Sequence, residues 1–340
     1  MPAVSLVVNP YLHNNRAITD GPHNRDDGLR PFILLAEILA KHGITLATDD
    51  LLPPNAADAR ICIDVQHGYL PPEGLTATSL LVVYEPPLHA PETFTTQTRK
   101  RFHGVYTWED DKVDGAHTHL LKYGMPWPTK TFNIEAALEA KTTLACTISG
   151  YKKVNAPGEL YSAREDVIRW YETYAPADFN LYGIGWDKHT FTGLMRPLNR
   201  LPAARKLMAP RWPLWRGPVD NKGKVLAAHK FAFAYENLEG LTGYITEKPF
   251  DVLFAGTVPV YRGAPNVLDY IPGSCILLAD DFKNLGELHR HLKGMSDTEY
   301  RTYLENIATF ITGNKKGPFS AWRWATTLCD AVLEITGETK

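Results

Sequence analysis

The chain has 340 residues, of which 44% are hydrophobic and 22% charged, and 36 Lys and Arg oppose 38 Asp and Glu for a formal net charge of −2. Ordinary apolar content excludes disordered and fibrous classes, and the length fits two domains of roughly 150 residues each. Near-neutrality argues against wholesale nucleic-acid or membrane-surface binding, although basic residues can still converge locally on an anionic ligand.

Cys62, Cys146, Cys275 and Cys329 are far apart and form no C-x-x-C pair. They read as free buried thiols of a reducing compartment, not as a disulfide framework or a zinc site. The N-terminus lacks a basic region followed by a long apolar one, so no signal peptide is expected. The longest apolar runs, FILLAEILA and SLLVVY, fall far short of the ~20 residues of a spanning helix. These features predict a cytoplasmic protein with no transmembrane segment, and leave open a peripheral place at the inner membrane face.

Short β-rich runs at 4–8, 60–65 and 80–84 lack polar alternation, as strands covered on both faces do. Between the first two, Phe32, Leu35, Ile38 and Leu39 recur at helical spacing, predicting a helix over 31–42 stopped by Gly43. The pattern weakens between 115 and 141 into a Pro- and Trp-rich crossover, and the domain boundary is expected near 140. A strand at 144–149 restarts the pattern. A helix then opens at Ser162, where Ser162 and Glu165 stand at capping-box spacing and Val167, Trp170, Tyr171 and Tyr174 continue an apolar stripe. Next come a strand at 180–183 and a polar, Pro- and Trp-rich excursion over 188–218. Strands at 231–235, 258–261 and 275–278 follow, with a helix over 247–254 that Gly256 ends. A second box, Ser296 to Glu299, opens a further helix, and a terminal amphipathic helix covers 321–335. Alternating strands and helices predict parallel sheets. The expected architecture is α/β, two Rossmann-like domains facing a cleft. Residues 1–140 are expected to form the first domain, 141–320 the second, and 321–340 a terminal helix able to pack back on the first.

Chemistry concentrates in 231–263, where a buried strand ends in Glu236-Asn237 and a Gly-bearing loop leads through Tyr244 to a helix. Thr246 is placed to cap that helix, with Glu247 and Lys248 in a first turn whose backbone N–H groups lack partners. A helix N-terminus with a lysine at the carboxyl end of a strand suits phosphate oxygens. A capped helix with a solvated Glu-Lys pair accounts for the same residues equally well. Glu85 ends a buried strand, where partial desolvation would raise its pKa toward that of a general base; a solvated turn carboxylate is the plainer reading. Glu109-Asp110-Asp111 reads as a solvated loop, because consecutive acids have no partner at ligand spacing. No histidine pattern suggests zinc, and His117 and His119 fit ordinary polar or core roles. Trp186, Trp212, Trp215, Tyr123 and Trp127 suit either a sugar-stacking platform or the anchoring of long loops.

The residues Tyr235-Glu236-Asn237, Gly243 to Lys248 and Ala255 to Asn266 resemble the C-terminal signature of the α1,3/4-fucosyltransferases, glycosyltransferase family ten, in the form of a bacterial-type soluble member. Weaker similarity runs from about Leu80 to Ala308. The resemblance implies a GT-B fold and an inverting transfer of L-fucose from GDP-β-L-fucose to a hydroxyl of a galactoside or N-acetylglucosamine-type acceptor. It implies donor-binding roles for Arg164, Asn237, Tyr244, Glu247 and Lys248, and the catalytic base for Glu85, which sits in a similar Tyr-Glu-Pro-Pro element. It implies no metal and no cofactor beyond the donor, since cationic groups can carry the charge growing on GDP. The partners implied are a GDP-sugar and an oligosaccharide, with no nucleic acid. A same-scaffold transferase of another GDP-sugar and a non-catalytic glycan- or nucleotide-binding protein remain as alternatives. A dinucleotide oxidoreductase is disfavoured because no strand is followed by G-x-G-x-x-G.

Overall fold

The computed structural model describes all residues except Gln66, His67, Thr190, Thr192, Lys315, Lys316, Thr339 and Lys340, with only the backbone of Ala204. The chain divides into two compact units. Unit 1 is Met1–Thr129, Leu241–Glu247 and Asn314–Lys340, and unit 2 is Lys130–Gly240 and Lys248–Gly313. The chain passes between the units after Thr129 and after Gly313, close to the boundaries expected at 140 and 320, and also on either side of Leu241–Glu247. One short segment, Leu241–Glu247, returns to unit 1 in the middle of the second half, which local sequence pattern does not reveal.

Unit 1 is built on β1 (Ala3–Val7), β2 (Thr45–Thr48), β3 (Ala59–Ile63), β4 (Ser79–Val82), β5 (Gly104–Thr107) and β6 (Thr118–Leu120). They form one sheet in the order β2-β1-β3-β4-β5-β6, and every pair is parallel. Helix α1 (Arg30–Lys41) follows β1, and the short α2 (Thr96–Arg99) precedes β5. β3 and β4 are buried at every position, which explains their apolar runs, and their two polar residues are hydrogen-bonded, Arg60 Nε to Pro54 O at 2.6 Å and Ser79 Oγ to Leu75 O at 2.7 Å. β2 and β6 lie at the sheet edges and are short, which is why their periodicity is weak.

Unit 2 contains α3 (Ile134–Glu139), β7 (Thr143–Ile148), α4 (Tyr161–Tyr174), β8 (Phe179–Tyr182), α5 (Pro202–Leu207) and α6 (Lys222–Ala227). Beyond them lie β9 (His229–Tyr235), α7 (Glu247–Phe254, whose first residue belongs to unit 1), β10 (Val258–Arg262), β11 (Leu277–Leu278), α8 (Leu285–Gly294) and α9 (Asp297–Gly313). The five strands run parallel in the order β11-β10-β9-β7-β8. Tyr171 stacks on Phe179 at 4.4 Å, and Phe231, Phe250, Val260 and Ile307 are fully buried.

Helix α10 (Ala321–Thr336) belongs to unit 1. Its Trp324, Leu328 and Val332 join Leu35, Leu39, Ile61 and Leu80 in one core, with the Trp324 ring edge-on to Phe32 at 4.8 Å. Met125 N–H donates to Phe319 O at 2.6 Å and Ala321 N–H to Met125 O at 2.8 Å, tying the approach to this helix onto the same unit.

The two capping boxes behave differently. The second forms, since Glu299 N–H donates to Ser296 Oγ at 3.2 Å and Ser296 N–H to the Glu299 carboxylate at 2.9 Å. The first does not, because α4 begins one residue before Ser162. The Glu159 carboxylate instead accepts from Tyr161 N–H at 2.7 Å and Ser162 N–H at 3.1 Å. The strand expected over 275–278 is reduced to β11, since Gly273–Cys275 is a 3-10 turn. The excursion over 188–218 is partly helical, with a 3-10 segment at Gly193–Arg200 followed by α5.

Candidate functional site

In a parallel sheet the strand order reverses where chains leave to opposite sides, and ligands gather beyond the carboxyl ends of the strands there. In unit 2 the reversal falls between β7 and β9. Four polar side chains meet beyond the end of β9. Arg164, in the first turn of α4, is buried and its Nη2 donates to Tyr235 O at 2.7 Å, Glu236 O at 2.5 Å and Asn237 Oδ1 at 3.1 Å. Its guanidinium also lies 4.9 Å from the centre of the Tyr161 ring. Lys248, in the first turn of α7, pairs with Glu236 at 3.0 Å, and that carboxylate is fully buried. Arg164, Asn237 and Lys248 are therefore brought together, on two adjacent residues of one turn. Arg164 is held by the backbone carbonyls and Asn237 amide of this turn and Lys248 by its buried carboxylate, so two cations stand at one strand end, an arrangement that suits a diphosphate.

Glu236 is the member of this group to which no role was assigned from the sequence. Its signal was a carboxylate closing the strand FAFAY, a position burial makes costly unless it is paired. Gly263 is required beside it, since a Cβ there would stand 2.5 Å from Glu236 Cγ. Lys152, in the loop after β7, lies with its Nζ 5.9 Å from the centre of the same Tyr161 ring that Arg164 approaches. Its signal in the sequence is the pair Lys152-Lys153 in the loop just beyond β7.

Tyr244 and Glu247 belong to unit 1. Tyr244 is buried against Trp108, with ring centroids 4.9 Å apart, and faces Tyr123 at 6.3 Å. The turn before it is held by Lys122, whose buried Nζ donates to Trp108 O at 2.9 Å and Gly243 O at 3.3 Å and pairs with Asp110 at 2.7 Å. Burial lowers the Lys122 pKa, against the opposing pull of Asp110. Only glycine fits at 243, where φ is +86° and a Cβ would stand 2.2 Å from Trp108 O. The loop read as solvated at Glu109-Asp110-Asp111 is thus corrected. Glu109 is buried, accepts from Thr107 Oγ1 at 2.8 Å and pairs with Arg99, so only Asp111 stands in solvent.

Glu85 follows β4, and its side chain is exposed. The partial desolvation expected for it is found instead at Asp64, at the carboxyl end of β3 beside the strand-order reversal of unit 1. Asp64 is 1% exposed, with φ of +54°. Its two carboxylate oxygens accept the N–H groups of Tyr84 at 2.8 Å and Glu85 at 2.9 Å. Burial pushes its pKa up to about 7, opposed by those two hydrogen bonds and reinforced by the Glu85 charge. Tyr84 packs on Tyr123 at 4.7 Å, and the Tyr123 hydroxyl donates to Tyr84 O. Burial raises the pKa of both phenols, and the charges of Glu247 and Glu85 add to the rise. Glu85 and Glu247 therefore act on one pair of tyrosines.

Trp186 and Trp212 are buried, edge to face at 4.7 Å with Tyr151 beside them, and so anchor their loops rather than offer a stacking platform. His119 stacks on Tyr106, and His117 bonds to the carbonyls of His103 and Arg99. Among the described residues, His13, Asp49 and Asp50 are grouped closely enough to hold a metal ion, with His13 Nε2 3.4 Å from Asp49 Oδ1. Backbone N–H groups of Val8 and Asn14 already occupy these carboxylates, and Asp50 is exposed.

Residues 211–340 match the family described as glycosyltransferase family 10 (fucosyltransferase), C-terminal. A GDP-fucose protein O-fucosyltransferase 3 from Gallus gallus is 41% identical over 85 residues, 24% of this chain and 18% of that protein. The α-(1,3)-fucosyltransferase FucT of Helicobacter pylori is 37% identical over 97 residues, 26% of this chain and 20% of that protein. The matched stretch spans about a fifth of those relatives' length. A crystal structure of an α1,3-fucosyltransferase with GDP-fucose superposes with a TM-score of 0.55 at 15% identity, over 98% of this chain and 90% of that one. An α-glucosyltransferase in complex with UDP-glucose and DNA superposes at 0.56 and 8% identity, over 98% of each chain. The α/β fold of two parallel sheets is the GT-B type, and residues 211–340 are similar to the C-terminal region of glycosyltransferase family 10, the fucosyltransferases.

Proposed function

We propose that the protein is an inverting fucosyltransferase that moves L-fucose from GDP-β-L-fucose to a hydroxyl of a galactoside or N-acetylglucosamine-type acceptor. The observation that carries this reading is the convergence of Arg164 and Lys248 on Glu236-Asn237, beyond the strand-order reversal of unit 2, beside the family-matched stretch and within it. In this reading Arg164, Lys248 and the first turn of α7 stabilise the charge that grows on GDP as it leaves. Asn237, Tyr244 and Glu247 complete the donor contacts. Glu85 takes the acceptor proton, and its exposure leaves it open to an incoming hydroxyl. Cationic side chains here do the work that a divalent ion does in other sugar transferases, so transfer persists in chelator. Four free, buried thiols suit a reducing compartment, which supports a cytoplasmic location.

The test is an assay of purified protein with GDP-fucose against lactose, N-acetyllactosamine and peptide acceptors, with the product anomer read by NMR. Transfer to a glycan with inverted configuration is expected. Glu85→Gln should abolish turnover while leaving GDP affinity unchanged, and Lys248→Ala should weaken GDP by about tenfold or more, the loss of one charge-assisted contact. Tight GDP binding without transfer, or equal competition by GDP-mannose, would overturn the assignment.

A further inference from the structure

One stretch of unit 2 stands apart from the rest of the surface. Between residues 188 and 216 there are seven Lys and Arg and not one Asp or Glu, in a chain whose net charge is −2. The same stretch holds five of the fifteen large hydrophobic side chains exposed among the described residues: Leu194, Met195, Leu201, Leu207 and Met208. Leu194 is 101% exposed and Leu207 88%, as open as in an unfolded chain. Single exposed apolar residues are ordinary, but a cluster this dense marks an interaction surface.

The local structure sorts these residues. Residues three apart eclipse on a 3-10 helix, so over Gly193–Arg200 Met195 and Leu198 share one row and Leu194 and Pro197 the next. Arg196 and Asn199 share the third. The exposed leucine, methionine and arginine side chains then continue onto α5, where Lys206 and Leu207 are both open to solvent. Arg205 turns inward, its Nε donating to His189 O at 3.0 Å. Trp212 and Trp186 pin the ends of the excursion in the core of unit 2, so the apolar tips are presented from a fixed base.

We infer that this surface docks on a bilayer bearing anionic headgroups. Apolar tips beside cations match a bilayer's hydrocarbon edge and its negative surface, the arrangement of an interfacial amphipathic segment. A second copy of the chain would bring like charges together. A nucleic acid would satisfy the cations and leave the leucines in water. The inference is independent of the donor chemistry, because no helix among the described residues is long and apolar enough to cross a membrane and docking needs none.

The experiment is co-sedimentation of the full chain, without nucleotide sugar, with phosphatidylglycerol–phosphatidylcholine vesicles and with vesicles of phosphatidylcholine alone. Binding to the anionic vesicles that falls as salt rises is expected. The exposed triple variant Arg196→Gln/Arg200→Gln/Lys206→Gln should bind roughly a hundredfold more weakly, about fivefold per cation. Leu194→Ser/Leu207→Ser should also weaken binding, and a thermal melt like that of the parent chain shows that either variant is folded. Absence of vesicle binding, equal binding to neutral vesicles, or a charge variant that binds like the parent would overturn the inference. So would a dimer, in sedimentation velocity without lipid, that Leu207→Ser dissociates, and so would RNA binding unaffected by the leucine changes.

Discussion

Asp64 shows how a residue that reads as ordinary can govern the groups around it. It sits in the left-handed region, which aspartate tolerates better than most residues, and holds two successive N–H groups of the Tyr84-Glu85 turn. Because its pKa is pushed from 3.8 up to about 7, the folded state keeps a proton that the unfolded chain releases between those values. The stability from this group is complete below about pH 4 and is lost as pH rises through 7. Asp64→Asn keeps one acceptor and removes the titration. Denaturant melts across this range should show the parent losing stability relative to the variant as pH rises. Two parallel curves would refute the assignment.

At the scale of elements, ends matter more than interiors. Ser320 caps α10, accepting from Arg323 N–H at 3.2 Å and donating to Gly317 O at 2.9 Å while buried. Ser320→Ala should cost about 1 kcal/mol or more of stability, the usual value of such a cap, measured by urea unfolding. Ser162→Ala should cost less, because α4 is capped by the Glu159 carboxylate instead. Equal losses at the two serines would argue against these different roles. Lys141 does similar work at helix ends, its Nζ donating to Ala227 O at 2.9 Å, at the close of α6, and to Gly256 O at 2.7 Å, just beyond α7. Its pKa falls to about 8 because burial disfavours the charge.

Across the whole molecule the cysteines report folding of both units. Cys62 and Cys329 lie in unit 1 and Cys146 and Cys275 in unit 2, all four free and buried. Burial raises the thiol pKa of Cys62, Cys146 and Cys275, and the thiolate is the reactive form. Ellman's reagent should find no fast-reacting thiol in the native protein and all four in denaturant. Rapid stoichiometric labelling of the native chain would contradict this packing.

Much of the secondary structure was legible because period and composition are local properties. The helix over Glu247–Phe254 has the expected bounds, and β1, β3, β4, β7, β8, β9 and β10 lie within a few residues of their apolar runs. Edge strands β2 and β6 were missed, since half-covered short strands carry little period. The signature around Tyr235 to Asn266 was likewise readable in one dimension, and the family match covers it. What only the tertiary structure decided depends on residues distant in sequence. Asp64 meets Tyr84 and Glu85 because β3 and β4 are adjacent, and Arg164 meets Glu236 because α4 lies by the end of β9. Solvation was decided there too, burying Glu109 and Asp64 and exposing Glu85, because desolvation depends on everything packed around a side chain and not on its neighbours along the chain.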